Sequence, residues 1–202
     1  QELDYEIFNG DNPVYNLTIR TEDESGNFLE ELIQITVTDV LGDTLAEDSN
    51  SFVTTWSANA NEEIVIGALG GDFDYAFTVE WGDGTVEEVM DSDVNDDFFS
   101  HTYTKAGTYT VAIQGDFPAI YMSKNGSSRD NLRSIEQWGT TIECHFFSFS
   151  LADCQIMVHN AIDTPNLAQP SINMSGMFSG ATSFNGNIGN WNTQNVTDME
   201  SM

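Results

Sequence analysis

The run Asp91-Ser92-Asp93-Val94-Asn95-Asp96-Asp97 sets oxygen-bearing side chains at alternate positions: Asp91, Asp93, Asn95 and Asp97. Calcium takes oxygen ligands from carboxylates, carbonyls and water, so this spacing suits it as a cofactor. The helix–loop–helix calcium loop needs Gly at its sixth position and Glu at its twelfth. This chain has Asp96 and Thr102 there, which rejects that motif. What remains is a looser calcium loop joining two strands. The competing reading is a solvated connection whose charges discourage edge aggregation.

Nucleophilic chemistry has little to work with. The nucleophile patterns G-x-S-x-G and S-x-x-K and the Gly-rich phosphate loops are absent. Cys144 beside His145 pairs a thiol with a base in sequence, but neighbours on a strand point to opposite faces. His101 and His159 are the remaining imidazoles, and His101 reads as a hydrogen-bonded structural residue. Among 33 acidic residues some pair can fall at glycosidase spacing by chance, yet no segment suggests the required cleft. No catalytic residue is assigned, and the chain reads as a non-enzyme. Cys144 and Cys154 are too few for a disulfide scaffold and lack zinc-site spacing; a disulfide and two buried thiols both stay open.

With 5 basic residues against 33 acidic ones the formal charge is -28, so the field of the chain repels phosphate backbones and anionic lipid. Nucleic acid is thereby excluded as a partner, and no apolar stretch has the length for direct membrane insertion. Hydrophobic residues at 40% nevertheless supply a core, which argues for a folded acidic protein over disorder.

The elements that would position these residues read as strands. Tyr15, Leu17 and Ile19 alternate with polar residues, as do Ile33, Ile35 and Val37, around the turn run Glu22 to Asn27. A hairpin alone is marginal, so this segment reads as the tail of a truncated domain. Tyr75, Phe77, Val79 and Trp81 form the clearest strand, running into the turn Gly82-Asp83-Gly84. Ile64 with Ile66, and Tyr109 with Val111 and Ile113, suggest more. Short alternating strands with Gly-rich turns argue for an antiparallel sandwich. Beyond Phe117 a repeat appears: Met174-Ser175-Gly176-Met177 recurs as Met199-Glu200-Ser201-Met202, a step of 25 residues (199 minus 174), with a weaker copy placing Cys154 on Ala181. Repeats of this length bury their apolar face by stacking, so the Met, Phe and Trp positions read as core, and the parent protein is expected to continue past Met202.

Three resemblances refine this picture. Leu3-Asp4-Tyr5-Glu6, Tyr15-Asn16-Leu17-Thr18-Ile19-Arg20 and Ile35-Thr36-Val37-Thr38-Asp39-Val40 resemble the last third of a bacterial cadherin-like repeat. That resemblance implies Asp4, Glu6 and Asp39 as calcium ligands between repeats. Trp81-Gly82-Asp83-Gly84-Thr85, His101-Thr102-Tyr103 and Ala106 to Val111 resemble a PKD domain, an Ig-like fold of bacterial surface proteins and secreted hydrolases. Met174, Met177, Phe178, Ala181, Phe184, Asn185, Ile188 and Trp191, then Val196-Thr197-Asp198-Met199, are similar to BspA-like leucine-rich-repeat-type surface proteins. Members of that family are surface-exposed, and several are implicated in adhesion. Phe117 to Tyr121 with Ser134 to Gly139 resembles the cap that joins a PKD-like domain to such repeats.

The sequence therefore predicts a mainly β protein. A partial cadherin-like β segment covers residues 1–43 and a linker 44–51. An Ig-like, PKD-type antiparallel β-sandwich covers 52–115, and the start of a leucine-rich-repeat-like solenoid covers 116–202. The expected function is extracellular, cell-surface adhesion or display toward a surface protein or polysaccharide ligand. The alternative is a targeting module of a secreted polysaccharide-degrading enzyme.

Overall fold

The computed structural model describes residues 14–36, 44–69, 73–90, 98–124, 127–140 and 148–202. The chain is mainly β and divides into two compact units, Gln1–Asp43 and Thr44–Met202.

In the first unit β1 (Val14–Glu22) and β2 (Phe28–Thr36) pair antiparallel, from Val14 opposite Thr36 to Glu22 opposite Phe28. Acidic and glycine chemistry makes the turn. Asp23 Oδ1 accepts the backbone N–H of Ser25 and of Asn27, each at 2.9 Å, and Gly26 takes φ +82°. A side chain there would be strained, which is why the run reads as a turn. Phe28, Leu29 and Leu32 are exposed on this hairpin.

Among its described residues, the second unit is built on a six-stranded sheet and a two-stranded one, and no sheet closes on itself as a barrel. Its strands are β3 (Phe52–Ala58), β4 (Glu62–Gly67), β5 (Ala76–Glu80), β6 (Val86–Met90), β7 (Phe98–Tyr103), β8 (Gly107–Asp116), β9 (Leu132–Gln137) and β10 (Val158–His159). The larger sheet has the order β10-β9-β3-β8-β5-β6, and β4 pairs with β7. All of these pairings are antiparallel except that of β10 with β9. Alternation decides which side is buried: Phe77 and Val79 of β5 and Val111 and Ile113 of β8 point in, as do Ile64 and Ile66 of β4. Phe77 meets Phe99 of β7 edge-on at 5.0 Å, which packs the two sheets on one core.

The tight turn after β5 depends on glycine twice. Gly82 has φ +77°, and a Cβ there would lie 2.4 Å from the Thr110 carbonyl oxygen. No other residue satisfies both demands. Trp81, beside it, is 1% exposed.

The ladder does not stop where the sandwich was expected to. β9 pairs with β3, Thr54 facing Ile135, and Trp138 packs on Phe52 at 5.8 Å. The same buried cluster then continues through Met122, Leu151, Met157, Met174, Met177 and Trp191. Two further short strands, β11 (Ile172–Asn173) and β12 (Val196–Asp198), pair parallel to each other.

Candidate functional site

Residues 148–202 form turns laid in parallel on one another. The N–H groups of Phe149, Leu151 and Asp153 donate to the carbonyls of Ser175, Met177 and Ser179, and those of Met174 and Gly176 donate to Asp198 and Glu200. Side chains follow the same register: the Ser148 and Ser175 hydroxyls, 27 residues apart, lie at 3.1 Å, and Thr197 Oγ1 donates to the Ile172 carbonyl 25 residues back. Conformation repeats too. Phe149, Gly176 and Ser201 all have positive φ, as do Asp153 and Gly180. Equivalent positions thus share an unusual backbone although only some are glycine. The residue alternation seats Leu151, Cys154, Met174, Met177 and Ala181 inside.

At the start of these turns lies a polar contact inside an aromatic cluster. Trp138 Nε1–H donates to His159 Nε2 at 2.9 Å, with Trp191 edge-on to Trp138 at 5.5 Å and Phe184 to His159 at 5.6 Å. Burial pushes the His159 imidazole below its ordinary pKa of 6.5, outweighing the opposing pull of Asp163. Asp163 closes the end of β9 by accepting the N–H groups of Trp138 and Gly139, the latter at 2.8 Å. No local pattern marks this residue, whose partners lie 25 and 24 positions away.

His101 is held by the tight turn after β5. Its Nε2 lies 2.9 Å from Asp83 Oδ2, and its ring stacks on Trp81 at 5.0 Å. Burial works to raise the Asp83 carboxyl, but its bonds from His101 and Thr85 prevail and hold it below the ordinary range. Tyr103, whose hydroxyl donates to the Trp81 carbonyl at 2.8 Å, is pushed well up by burial. These bonds tie Trp81 and the turn 82–85 to β7 through Tyr103 and His101. Cys154 is a buried thiol, pushed up to about 12 by desolvation, which leaves it in the unreactive form.

The sequence-predicted calcium residues Asp91, Asp93, Asn95, Asp97, Asp4, Glu6 and Asp39 all lie outside the described residues, as do Cys144 and His145. Among the described residues no group of three or more His, Cys, Asp or Glu side chains converges as a metal site. The flanks of the Asp91 run are described: β6 ends at Met90 in the larger sheet and β7 opens at Phe98 in the smaller one. A cleft of about 530 Å³ between these strands is lined by Glu87, Glu88, Val89, Phe98, Phe99 and Ser100. Also among the described residues, no helix is long and apolar enough to cross a membrane.

No curated protein and no solved structure matches the chain. A family model described as "Mycoplasma protein of unknown function, DUF285" matches residues 128–202, the region of the stacked turns, and the match fits a surface-associated bacterial repeat module.

Proposed function

We propose that the chain is a non-catalytic, extracellular adhesion or ligand-display module of a larger bacterial surface protein. In this reading residues 52–115 are a PKD-type, Ig-like spacer, and the stacked turns are the opening of a leucine-rich-repeat-like solenoid whose exposed surface meets the ligand. The cadherin-like first segment and the Asp91 to Asp97 run take calcium.

The observation that carries the reading is the parallel stacking of residues 148–154 on 174–180 and of 172–176 on 196–200. Such a stack repeats one surface at a fixed pitch, and solenoids use surfaces of this kind for binding. Support also comes from His101 and His159, each bonded within the fold rather than poised beside a nucleophile.

Labelled full chain applied to cultured epithelial cells and to matrix-coated wells tests the proposal. Saturable retention, displaced by unlabelled chain, is the expected result. Retention that never saturates, or turnover of chromogenic esters, peptides or glycosides that disappears in His101 or His159 variants, would remove it.

A further inference from the structure

Within a chain of net charge -28, residues 164–197 contain no Asp, Glu, Lys, Arg or His. The segment is not apolar in compensation. Thr182, Ser183, Asn185, Asn187, Asn190, Asn192, Thr193, Gln194 and Asn195 are exposed within it, while Trp191 is buried and Ile188 is half-buried. The stacked turns therefore present a surface of uncharged amides and hydroxyls in a chain whose acidic residues, apart from Asp198 and Glu200, all precede residue 164.

The amides on this surface are oriented by the backbone. Asn187 Oδ1 accepts the N–H of Gly189 at 2.9 Å, and Asn192 Oδ1 accepts that of Gln194 at 3.2 Å. Asn166 Oδ1 accepts the N–H of Ala168 in the same way, at 3.1 Å. Only a carbonyl oxygen can take an N–H, so each such turn consumes the acceptor end of the carboxamide. The donor end of Asn187 and of Asn192 makes no hydrogen bond within the described residues, and both residues are exposed. A side chain locked in this manner loses little further rotamer freedom when it binds.

We infer that the charge-free face around Asn187 and Asn192 binds an uncharged polysaccharide, its fixed carboxamide N–H groups donating to sugar hydroxyl and ether oxygens. The location rests on the surface-module reading above; the ligand class follows from the chemistry of the face. An anionic polymer meets the repulsive field of the whole chain, and a cationic one would be drawn to the acidic residues that precede residue 164 instead. Protein interfaces centre on buried aromatic, Met or Arg anchors, and no large hydrophobic side chain is exposed anywhere between 164 and 197. A polymer of hydroxyls needs neither charge nor such an anchor. Weak contacts repeated along a stack and along a polymer add through effective concentration.

Native electrophoresis of the full chain through gels containing dextran, mannan, galactan, hydroxyethyl cellulose, dextran sulfate or gelatin tests this inference. Retardation by at least one of the four uncharged polysaccharides, insensitive to added salt and not reproduced by the free monosaccharide, is expected. The double variant Asn187→Asp with Asn192→Asp keeps both turns, because a carboxylate oxygen accepts the same N–H, but replaces each outward donor with negative charge. Its retardation is expected to weaken about tenfold or more while its thermal midpoint stays unchanged. Retardation by none of the four, or undiminished retardation of the double variant, overturns the inference. Retardation only by dextran sulfate and lost in salt overturns it as well. Retardation only by gelatin also overturns it, while leaving the surface-module reading intact.

Discussion

Trp138, which follows β9, and His159, in β10, share one proton donor and one acceptor inside an aromatic cluster: the indole Nε1–H points at imidazole Nε2 across 2.9 Å. The bond requires a lone pair on Nε2, so the ring proton sits on Nδ1. Protonating Nε2 would break the bond and place a cation among Trp138, Phe184 and Trp191.

This makes stability depend on pH in a defined direction. The folded-state pKa of His159 lies below its ordinary value of 6.5, so below that value the unfolded chain takes up protons that the folded chain resists. The contribution is complete above pH 6.5, declines as pH falls, and levels off once the folded-state value is passed. Urea midpoints are expected to drop between pH 7.5 and roughly pH 5. His159→Gln, whose carbonyl can still accept from Trp138 but does not titrate, flattens that drop. A drop of the same size in the variant would place its origin elsewhere.

Trp81 ties the tight turn after β5 to both sheets, being 1% exposed, in contact with Phe99 at 5.8 Å and stacked on His101. Truncating it leaves a cavity the neighbours cannot fill, so Trp81→Ala is expected to cost about 3–5 kcal/mol. Equilibrium denaturation reads the value, and an unchanged midpoint would remove Trp81 from the core.

Methionine oxidation gives a residue-level check on the stacked turns. Met122, Met157, Met174 and Met177 are fully buried, whereas Met90 is 47% and Met199 44% exposed. Peroxide followed by mass spectrometry should oxidise Met90 and Met199 first, with the buried four protected until unfolding. Equal rates at Met174 and Met199 would mean that the turns are not stacked.

Much of this was legible in local pattern. Tyr75, Phe77, Val79 and Trp81 alternate because one side of their strand is buried, and all four are core residues. The 25-residue recurrence at Met174 and Met199 likewise follows from stacking, since equivalent positions face equivalent neighbours. What escaped is non-local. The place of β9 between β10 and β3 depends on a partner more than seventy residues earlier (134 minus 55 is 79), and nothing in Leu132–Gln137 names it. The left-handed backbone at Phe149, Asp153 and Ser201 carries no glycine signal. It is revealed only by its register with Gly176 and Gly180, where the same conformation falls on the residue that favours it. Asp163 and the amide turns at Asn187 and Asn192 escaped for a related reason. Asn and Asp are common in every loop, and only geometry separates a cap from a solvated side chain.

Calcium binding is the remaining sequence expectation with a direct test. The Asp91 to Asp97 run lies outside the described residues, between β6 and β7 in sequence, and the cleft between those two strands carries Glu87 and Glu88. An open loop of this kind, completed by water or neutral ligands, should bind like extracellular modules, with Kd about 10⁻⁴ to 10⁻³ M. At calcium a hundredfold above Kd, linkage stabilises the folded chain by about 2.7 kcal/mol, which raises Tm by several degrees. General screening of an acidic protein raises Tm as well, so magnesium at equal ionic strength supplies the baseline. The expected outcome is a calcium increment over magnesium that saturates, and that is lost in Asp91→Ala and Asp93→Ala but retained in a charge-matched control such as Glu30→Ala on β2. If calcium and magnesium shift Tm equally, or if the increment survives both Asp substitutions, the run is a solvated connection between the sheets and its acidity serves solubility alone.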